Sequence, residues 1–121
     1  MNAKDLLALP RPPADLRVRY GEAPQHFGDL RLPAGRGPHP VVLLIHGGCW
    51  LAEYDLEHLS SLAAAFTSAG FATWSVEYRR LGDDGGGWPG TFEDAARAAD
   101  ALRALAADHP LDLSGVVAVG H

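Results

Sequence analysis

The stretch that decides the fold is VVLLIHGGCW, which occupies residues 41–50. Its first five residues are all apolar, and three of them are β-branched. Uninterrupted apolar runs of this kind are typical of strands that are buried on both faces, as in a parallel sheet. A histidine and two glycines follow at once, and glycine reaches backbone conformations that other residues avoid. The stretch therefore predicts a buried strand that leads directly into a tightly shaped loop.

Four more segments have the pattern of strands. Residues 71–76 and 116–119 are apolar runs like the first, and both predict strands with two buried faces. Residues 16–20 alternate between apolar and charged or polar side chains, which is the period of a half-buried strand. Residues 25–32 form a weaker candidate beside them. We therefore expect two short strands before the decisive stretch and two buried strands after it.

Two helices are predicted between the later strands. The first has Asp55 as its N-cap and ends at Gly70, and the second has Thr91 as its N-cap with Asp94 in a variant of the capping box. Their apolar stripes are Leu59, Leu62, Ala63, Phe66 and Ala69 in the first helix, and Phe92, Ala95, Ala99, Leu102 and Ala106 in the second. The alternation of strands and helices along the chain predicts an α/β protein with a mainly parallel sheet and helices on its faces. Such sheets bind ligands at the carboxyl ends of their strands.

The composition narrows the function classes. The chain has 121 residues, a formal net charge of −5 and a single cysteine. One domain over residues 1–121 fits that length, one cysteine excludes a disulfide within the chain, and the acidic balance argues against nucleic acid as a partner. No apolar run approaches the ~20 residues that cross a membrane, and the apolar stretch near the N-terminus is too short for the core of a signal peptide. We therefore expect no membrane partner and a cytoplasmic location.

Two short motifs stand where predicted strands end. Residues 46–50 (His-Gly-Gly-Cys-Trp) follow one strand, and Gly120 and His121 follow another. Backbone N–H groups beside the two glycines can turn toward a single point, where they form an anion site. In acyl transfer such a site is an oxyanion hole. The spacing therefore favours chemistry on a carbonyl group at this edge of the sheet.

The order of these motifs resembles the N-terminal half of an α/β-hydrolase. The His-Gly-Gly-x-Trp motif, Tyr78-Arg79 after the next strand, and Pro89 with Asp94 are similar to kynurenine formamidases and related small esterases of the hormone-sensitive-lipase type. In that family a nucleophile elbow, Gly-x-Ser-x-Gly, follows the last strand present here. The resemblance covers about residues 16–121 and implies an α/β-hydrolase fold.

The resemblance also implies roles for individual residues. Gly120 and His121 match the first two positions of the elbow, and the serine is the next residue, which this sequence does not have. The triad acid and base lie later in the family's chain order, so no residue here takes those roles. No metal or organic cofactor is implied. The resemblance further implies that Gly48 and Cys49 supply the oxyanion N–H groups and that Gly47 permits the turn. It implies that His46 holds the loop by side-chain hydrogen bonds. Trp50 is implied to pack under the loop or to line the acyl pocket.

Plainer interpretations stand beside these. Residues 46–48 are also compatible with a simple tight turn, and Cys49 with a buried small residue or a thiol nucleophile. His46 and His121 could share a metal across adjacent strands. Residues 81–89 (LGDDGGGWP) could pass for a phosphate loop, but they lack the Gly-Lys-Ser/Thr ending, and a surface loop is the better interpretation.

Three large side chains near that loop also have structural interpretations. Trp88 could swing over a substrate, but we expect it to anchor the loop to the body of the protein. Arg79 and Arg80 follow a strand, and we expect them to form structural ion pairs with nearby carboxylates.

The sequence thus predicts a hydrolase of small carboxylic esters or aryl formamides that acts through a serine in the complete protein. The alternatives are a fragment without catalytic activity and a small nucleotide-binding α/β module. Residues 116–119 carry none of the charges, prolines or bulges typical of an edge strand. We therefore expect this strand to pair on both sides, with the remainder of the same polypeptide or with a complementing chain.

Overall fold

The computed structural model describes residues 13–46 and 59–120. All five predicted strands form, and the predicted α/β architecture is confirmed. The strands are β1 (Leu16–Arg19), β2 (Phe27–Arg31), β3 (His39–Ile45), β4 (Ala72–Val76) and β5 (Leu111–Gly120), and the helices are α1 (Ser60–Ser68), α2 (Gly90–Asp100) and α3 (Leu102–Asp108). No helix among the described residues is long and apolar enough to cross a membrane.

The strands form one sheet in the order β1-β2-β4-β3-β5. Strand β3 pairs in parallel with both β4 and β5, whereas β2 is antiparallel to β4 and to β1. The three parallel strands therefore end at the same edge, which we call the carboxyl edge. The turn between β1 and β2 lies at this edge as well, because Gly28 near the start of β2 pairs with Val76 at the end of β4.

The apolar residues 41–44 of β3 occupy the buried middle of the described part of the chain. Alternate side chains of β3 enter two separate apolar clusters, as the pleat of a strand requires. Val41 and Leu43 pack on the side covered by α2 and α3, and Val42 and Leu44 pack on the side covered by α1. An apolar run with β-branched residues suits a strand with no wet face, and this explains why β3 reads as an uninterrupted apolar segment.

Helix α1 agrees only in part with its prediction. It ends as predicted, because Gly70 has a φ of +100°, which side chains other than glycine rarely adopt. Leu59 and Ala63 are buried as expected, but Leu62 is 41% exposed. The predicted cap, Asp55, lies outside the described residues.

The second predicted helix differs from its prediction in which residues form the buried face and in which residue is the N-cap. It is divided into α2 and α3, and its buried face is Thr91, Asp94, Ala98, Leu102 and Leu105. Of the predicted stripe, Leu102 is buried and Ala99 and Ala106 pack partly buried against the core, whereas Phe92 is 59% exposed. Two polar residues occupy the buried face because partners from distant segments satisfy them. Pro89, and not Thr91, is the N-cap residue, and no side chain caps the helix.

Strand β5 lies at the end of the sheet and is less buried than predicted. Val116 and Val117 are 39% and 58% exposed, and no strand of the described residues pairs with the outer side of β5. Residues 116–119 of this strand are all apolar, and an open apolar edge offers unpaired N–H and C=O groups to other chains. Pairing of this edge with strands from outside the sequence stays a prediction.

The exposed edge predicts that the isolated chain associates with itself. We expect concentration-dependent oligomers in size-exclusion chromatography and binding of a hydrophobic dye. Val117→Lys should reduce both, because a charge on an edge strand opposes pairing between strands. Ala107→Lys, on an exposed position of α3, is the matched control and should change neither. A compact wild-type monomer with one sharp unfolding transition would contradict this account of β5.

Candidate active site

The two motifs singled out in the sequence begin side by side at the carboxyl edge. His46 follows the last residue of β3, and Gly120 is the last residue of β5. Ile45 and Gly120 are register partners in the parallel pair β3–β5. Gly47, Gly48, Cys49 and Trp50 lie outside the described residues, as does His121. The described part of the chain thus brings together the points from which both motifs start.

The His46 side chain is held by a carboxylate from the neighbouring strand. Its Nε2 lies 2.7 Å from Oε1 of Glu77, and both residues are almost fully buried, with 2% and 3% of their surfaces exposed. A carboxylate accepts hydrogen bonds and, when ionised, donates none, so Nε2 carries the proton in this contact. The predicted role of His46 as a side-chain anchor is consistent with this pair, although the loop itself lies outside the described residues.

Tyr78 holds the same histidine from a second direction. Its ring stacks on the imidazole of His46, with 4.3 Å between centroids and 10° between planes. Its hydroxyl donates to the backbone carbonyl oxygen of His46 over 2.7 Å. Burial, with a smaller contribution from the charge of Glu77, raises the pKa of Tyr78 to about 12. The hydroxyl therefore remains a protonated donor throughout the neutral range.

The backbone of Glu77 is fixed by the hairpin of β1 and β2. Its N–H donates to the carbonyl oxygen of Phe27 over 2.8 Å, and its carbonyl oxygen accepts the hydroxyl of Tyr20 over 2.6 Å. Burial, reinforced by the charges of Asp94 and Glu77, raises the pKa of Tyr20. Glu77 was missed in the sequence, although a lone acidic residue directly after a buried strand is a visible signal.

Asp94 is a second buried carboxylate at this edge, with no exposed surface. Its Oδ1 accepts from Nε2 of His26 over 2.8 Å and from Nη2 of Arg79 over 2.9 Å. Its Oδ2 accepts from Nε of Arg79 over 2.8 Å and from the backbone N–H of Arg79 over 2.9 Å. Four hydrogen bonds thus tie α2 to the β1–β2 turn and to the segment after β4.

The pKa of Asp94 follows from this arrangement. Burial alone raises the pKa, because it disfavours the charged carboxylate. The hydrogen bonds from the side chain and backbone of Arg79, and that from His26, together outweigh burial and hold the pKa of Asp94 below its usual value of 3.8. The predicted ion pair of Arg79 is therefore present, and Arg80 likewise pairs with Asp83 at 3.1 Å.

The glycine-rich loop packs against these arginines. A Cβ on Gly85 would collide with Nη1 of Arg79, and one on Gly86 would collide with the carbonyl oxygen of Arg80. Thr91 closes the loop, since its hydroxyl accepts the N–H of Gly87 over 2.8 Å and donates to the carbonyl oxygen of Arg79. These contacts explain the buried position of Thr91 without a capping role.

Trp88 does not anchor this loop as predicted, because 74% of its surface is exposed. Its ring contacts Phe92, with 5.5 Å between centroids. The two aromatic side chains stand together on the outside because the buried face of α2 is taken by Thr91 and Asp94. Within residues 13–46 and 59–120, no group of three His, Cys, Asp or Glu side chains comes together, and the sharing of a metal by His46 and His121 is not tested because His121 lies outside the described residues.

Comparison with known proteins gives a family match and a distant curated relative. Residues 29–121 match the model of a protein family described as BD-FAE. An uncharacterised 31.7 kDa protein of Escherichia coli, from the traX-finO intergenic region, is 41% identical over 57 residues. Those residues are 47% of this chain and 19% of that relative.

Solved structures of esterases have the same fold. Esterase B from Lactobacillus rhamnosis superposes with a TM-score of 0.79 and 28% identity, over 97% of this chain and 40% of that chain. A truncated carbohydrate esterase from gut microbiota superposes with a TM-score of 0.76 and 26% identity, over 89% of this chain and 41% of that chain. A bacterial heroin esterase superposes with a TM-score of 0.76 and 25% identity, over 97% of this chain and 38% of that chain. The chain thus has an α/β-hydrolase fold and spans about two-fifths of the length of these esterases.

The four hydrogen bonds to Asp94 predict a specific dependence of stability on pH. Because the folded-state pKa of Asp94 is lowered, its stabilisation is fully present above pH 3.8 and is lost as the pH falls below that value. Asp94→Asn should lower the free energy of unfolding at neutral pH by about 3–5 kcal/mol, as expected when one partner of a buried ion pair is removed. The variant should also show a flatter acid limb in urea unfolding measured against pH.

The control for this measurement is Asp100→Asn, because Asp100 lies on the exposed side of the same helix. Its stability should follow that of the wild type at every pH. Equal stability of Asp94→Asn and Asp100→Asn at neutral pH would contradict the role assigned to Asp94.

Proposed function

This chain belongs to the BD-FAE family, and from that membership we propose that it supplies the oxyanion-hole half of a hydrolase of small carboxylic esters or aryl formamides. The observation that carries the proposal is the pairing of Ile45 with Gly120. Neighbouring strands of a sheet are about 4.8 Å apart. The His-Gly-Gly motif and the Gly-His motif therefore start within one strand spacing of each other, as an oxyanion loop and a nucleophile elbow must.

The proposed reaction proceeds through an acyl-enzyme. A serine directly after His121 attacks the carbonyl carbon of the substrate, and its proton passes to a histidine base that then protonates the leaving group. Water releases the acyl group by the reverse sequence of proton transfers. The N–H groups of Gly48 and Cys49 take the negative oxygen of both tetrahedral intermediates, and Gly47 permits the turn that aims them. Loss of one such donor typically costs about 2.7–4 kcal/mol of transition-state stabilisation.

The structural neighbours support the class of reaction. The three named above are described as esterases and superpose on 89–97% of this chain with TM-scores of 0.76–0.79. We assign the serine, the acid and the base to sequence beyond His121, and the covered share of each esterase, about two-fifths, is compatible with that assignment. The partner of the chain is thus the remainder of the same polypeptide or a complementing chain, and its substrate is a small ester or amide. Trp50 lines the acyl pocket or supports the loop in this scheme.

The proposal is tested first in the gene. We expect the codons after His121 to encode Ser-x-Gly, which completes the elbow. A stop codon at that point would instead support a fragment without catalytic activity.

A labelling experiment tests the chemistry. The isolated 121-residue chain should not react with a fluorophosphonate and should not hydrolyse p-nitrophenyl acetate above background, because it lacks the serine, the acid and the base. The complete gene product should be labelled once, at the elbow serine. Labelling of the 121-residue chain at Cys49 would refute the serine mechanism and point to a thiol nucleophile.

A further inference from the structure

Glu77 and Tyr78 surround His46 in a way that suits a dedicated support. Two consecutive residues after β4 contact four parts of His46. Glu77 binds ring atom Nε2, the Tyr78 ring covers the imidazole face, and the Tyr78 hydroxyl binds the carbonyl oxygen and lies 3.5 Å from Nδ1. All three residues are at least 97% buried.

The support is itself rigid. The Glu77 carboxylate also accepts the backbone N–H of Tyr78 over 3.0 Å, so one oxygen, Oε1, receives both donors. Its other oxygen lies 3.9 Å from Nη1 of Arg80. Because the backbone of Glu77 is bound on both sides by the β1–β2 hairpin, the carboxylate has a fixed position at the end of β4.

A buried carboxylate has a consequence for the proton of His46. A neutral imidazole carries its proton on either Nδ1 or Nε2, and the hydrogen-bond partner of one nitrogen selects the form. An acceptor at Nε2 selects the form protonated there. The hydrogen bond from Tyr78 fixes the carbonyl oxygen, and since the peptide unit is planar, it also fixes the direction in which the chain leaves β3.

We propose that Glu77, together with Tyr78, is a positioning residue for the loop that begins at His46: Glu77 sets the ring and its proton, and Tyr78 sets the exit of the backbone. The proposal deepens the proposed function, because it assigns the aim of the oxyanion N–H groups to a residue 31 positions further along the chain. Neither residue contacts the reacting atoms in this account.

Nuclear magnetic resonance of the 121-residue chain tests the proposal, with Val117→Lys present in every sample to reduce association through β5. With ¹⁵N-labelled histidine, the His46 ring should be in the Nε2–H form in the wild type. Glu77→Ala should abolish that preference and give a mixture of forms. Glu77→Gln should retain it, because the amide oxygen can accept the same two donors. Tyr78→Phe should also retain it, since the phenyl ring still stacks and the acceptor at Nε2 is intact.

The amide signals of Gly47 and Gly48 supply the second readout. They should shift in Glu77→Ala and in Tyr78→Phe, whereas the control Glu93→Ala, on an exposed position of α2, should leave them in place. Tyr78→Phe thus separates the backbone effect from the ring effect, and Glu77→Gln remains informative where Glu77→Ala fails to fold.

Two results would overturn the inference. One is a wild-type His46 ring in the Nδ1–H form or in a mixture of forms. The other is a Glu77→Ala variant with unchanged ring and glycine signals. Neither result depends on catalysis, so an inactive gene product would contradict the proposed function and leave this inference standing.

Discussion

A carboxylate without exposed surface is the constraint on which the carboxyl edge depends. Burying the charge of Asp94 is costly unless hydrogen bonds and an opposite charge replace water. The protein meets this demand with His26 from the β1–β2 turn and with Arg79 from the segment after β4. The two donors are 68 and 15 residues away from Asp94 along the chain. One charge thereby holds a hairpin, a strand end and a helix in a single arrangement.

A second buried carboxylate depends on that frame. Glu77 stands two residues before Arg79, and its own backbone is held by the same hairpin. The carboxylate of Glu77 is therefore held in position to bind His46, directly after the end of β3. Asp94 thus holds Arg79 and the hairpin, and the hairpin holds the backbone of Glu77. Glu77 in turn holds His46, the first residue of the proposed oxyanion loop.

The sequence predicts the sheet well because its strands are specified locally. The apolar run in β3 has no wet face, and its uninterrupted apolar sequence with three β-branched residues indicates a strand that is buried on both faces. The strand ends also predict that the two motifs of the candidate site start side by side, and Ile45 and Gly120 are indeed neighbours in the register. The α/β-hydrolase fold follows from strand order and from the motifs at these ends, and both are visible without coordinates.

The interior of the edge is harder to predict because its partners are distant in sequence. Thr91 and Asp94 look like a helix cap by their spacing, yet both are buried and bind the segment after β4. Their burial displaces Phe92 to the surface and leaves Trp88 beside it. The spacing of apolar residues does not identify the buried face of a helix when polar residues occupy part of that face. Glu77 was missed for the same reason, since its partner is His46, which directly follows another strand.

The most direct test of the central claim is a crystal structure of the complete gene product after reaction with a fluorophosphonate. The account predicts a phosphonyl oxygen within hydrogen-bond distance of the N–H groups of Gly48 and Cys49, beside a His46 ring still bound to Glu77. A phosphonyl oxygen held by other donors, with the loop after His46 turned away from it, would contradict the account.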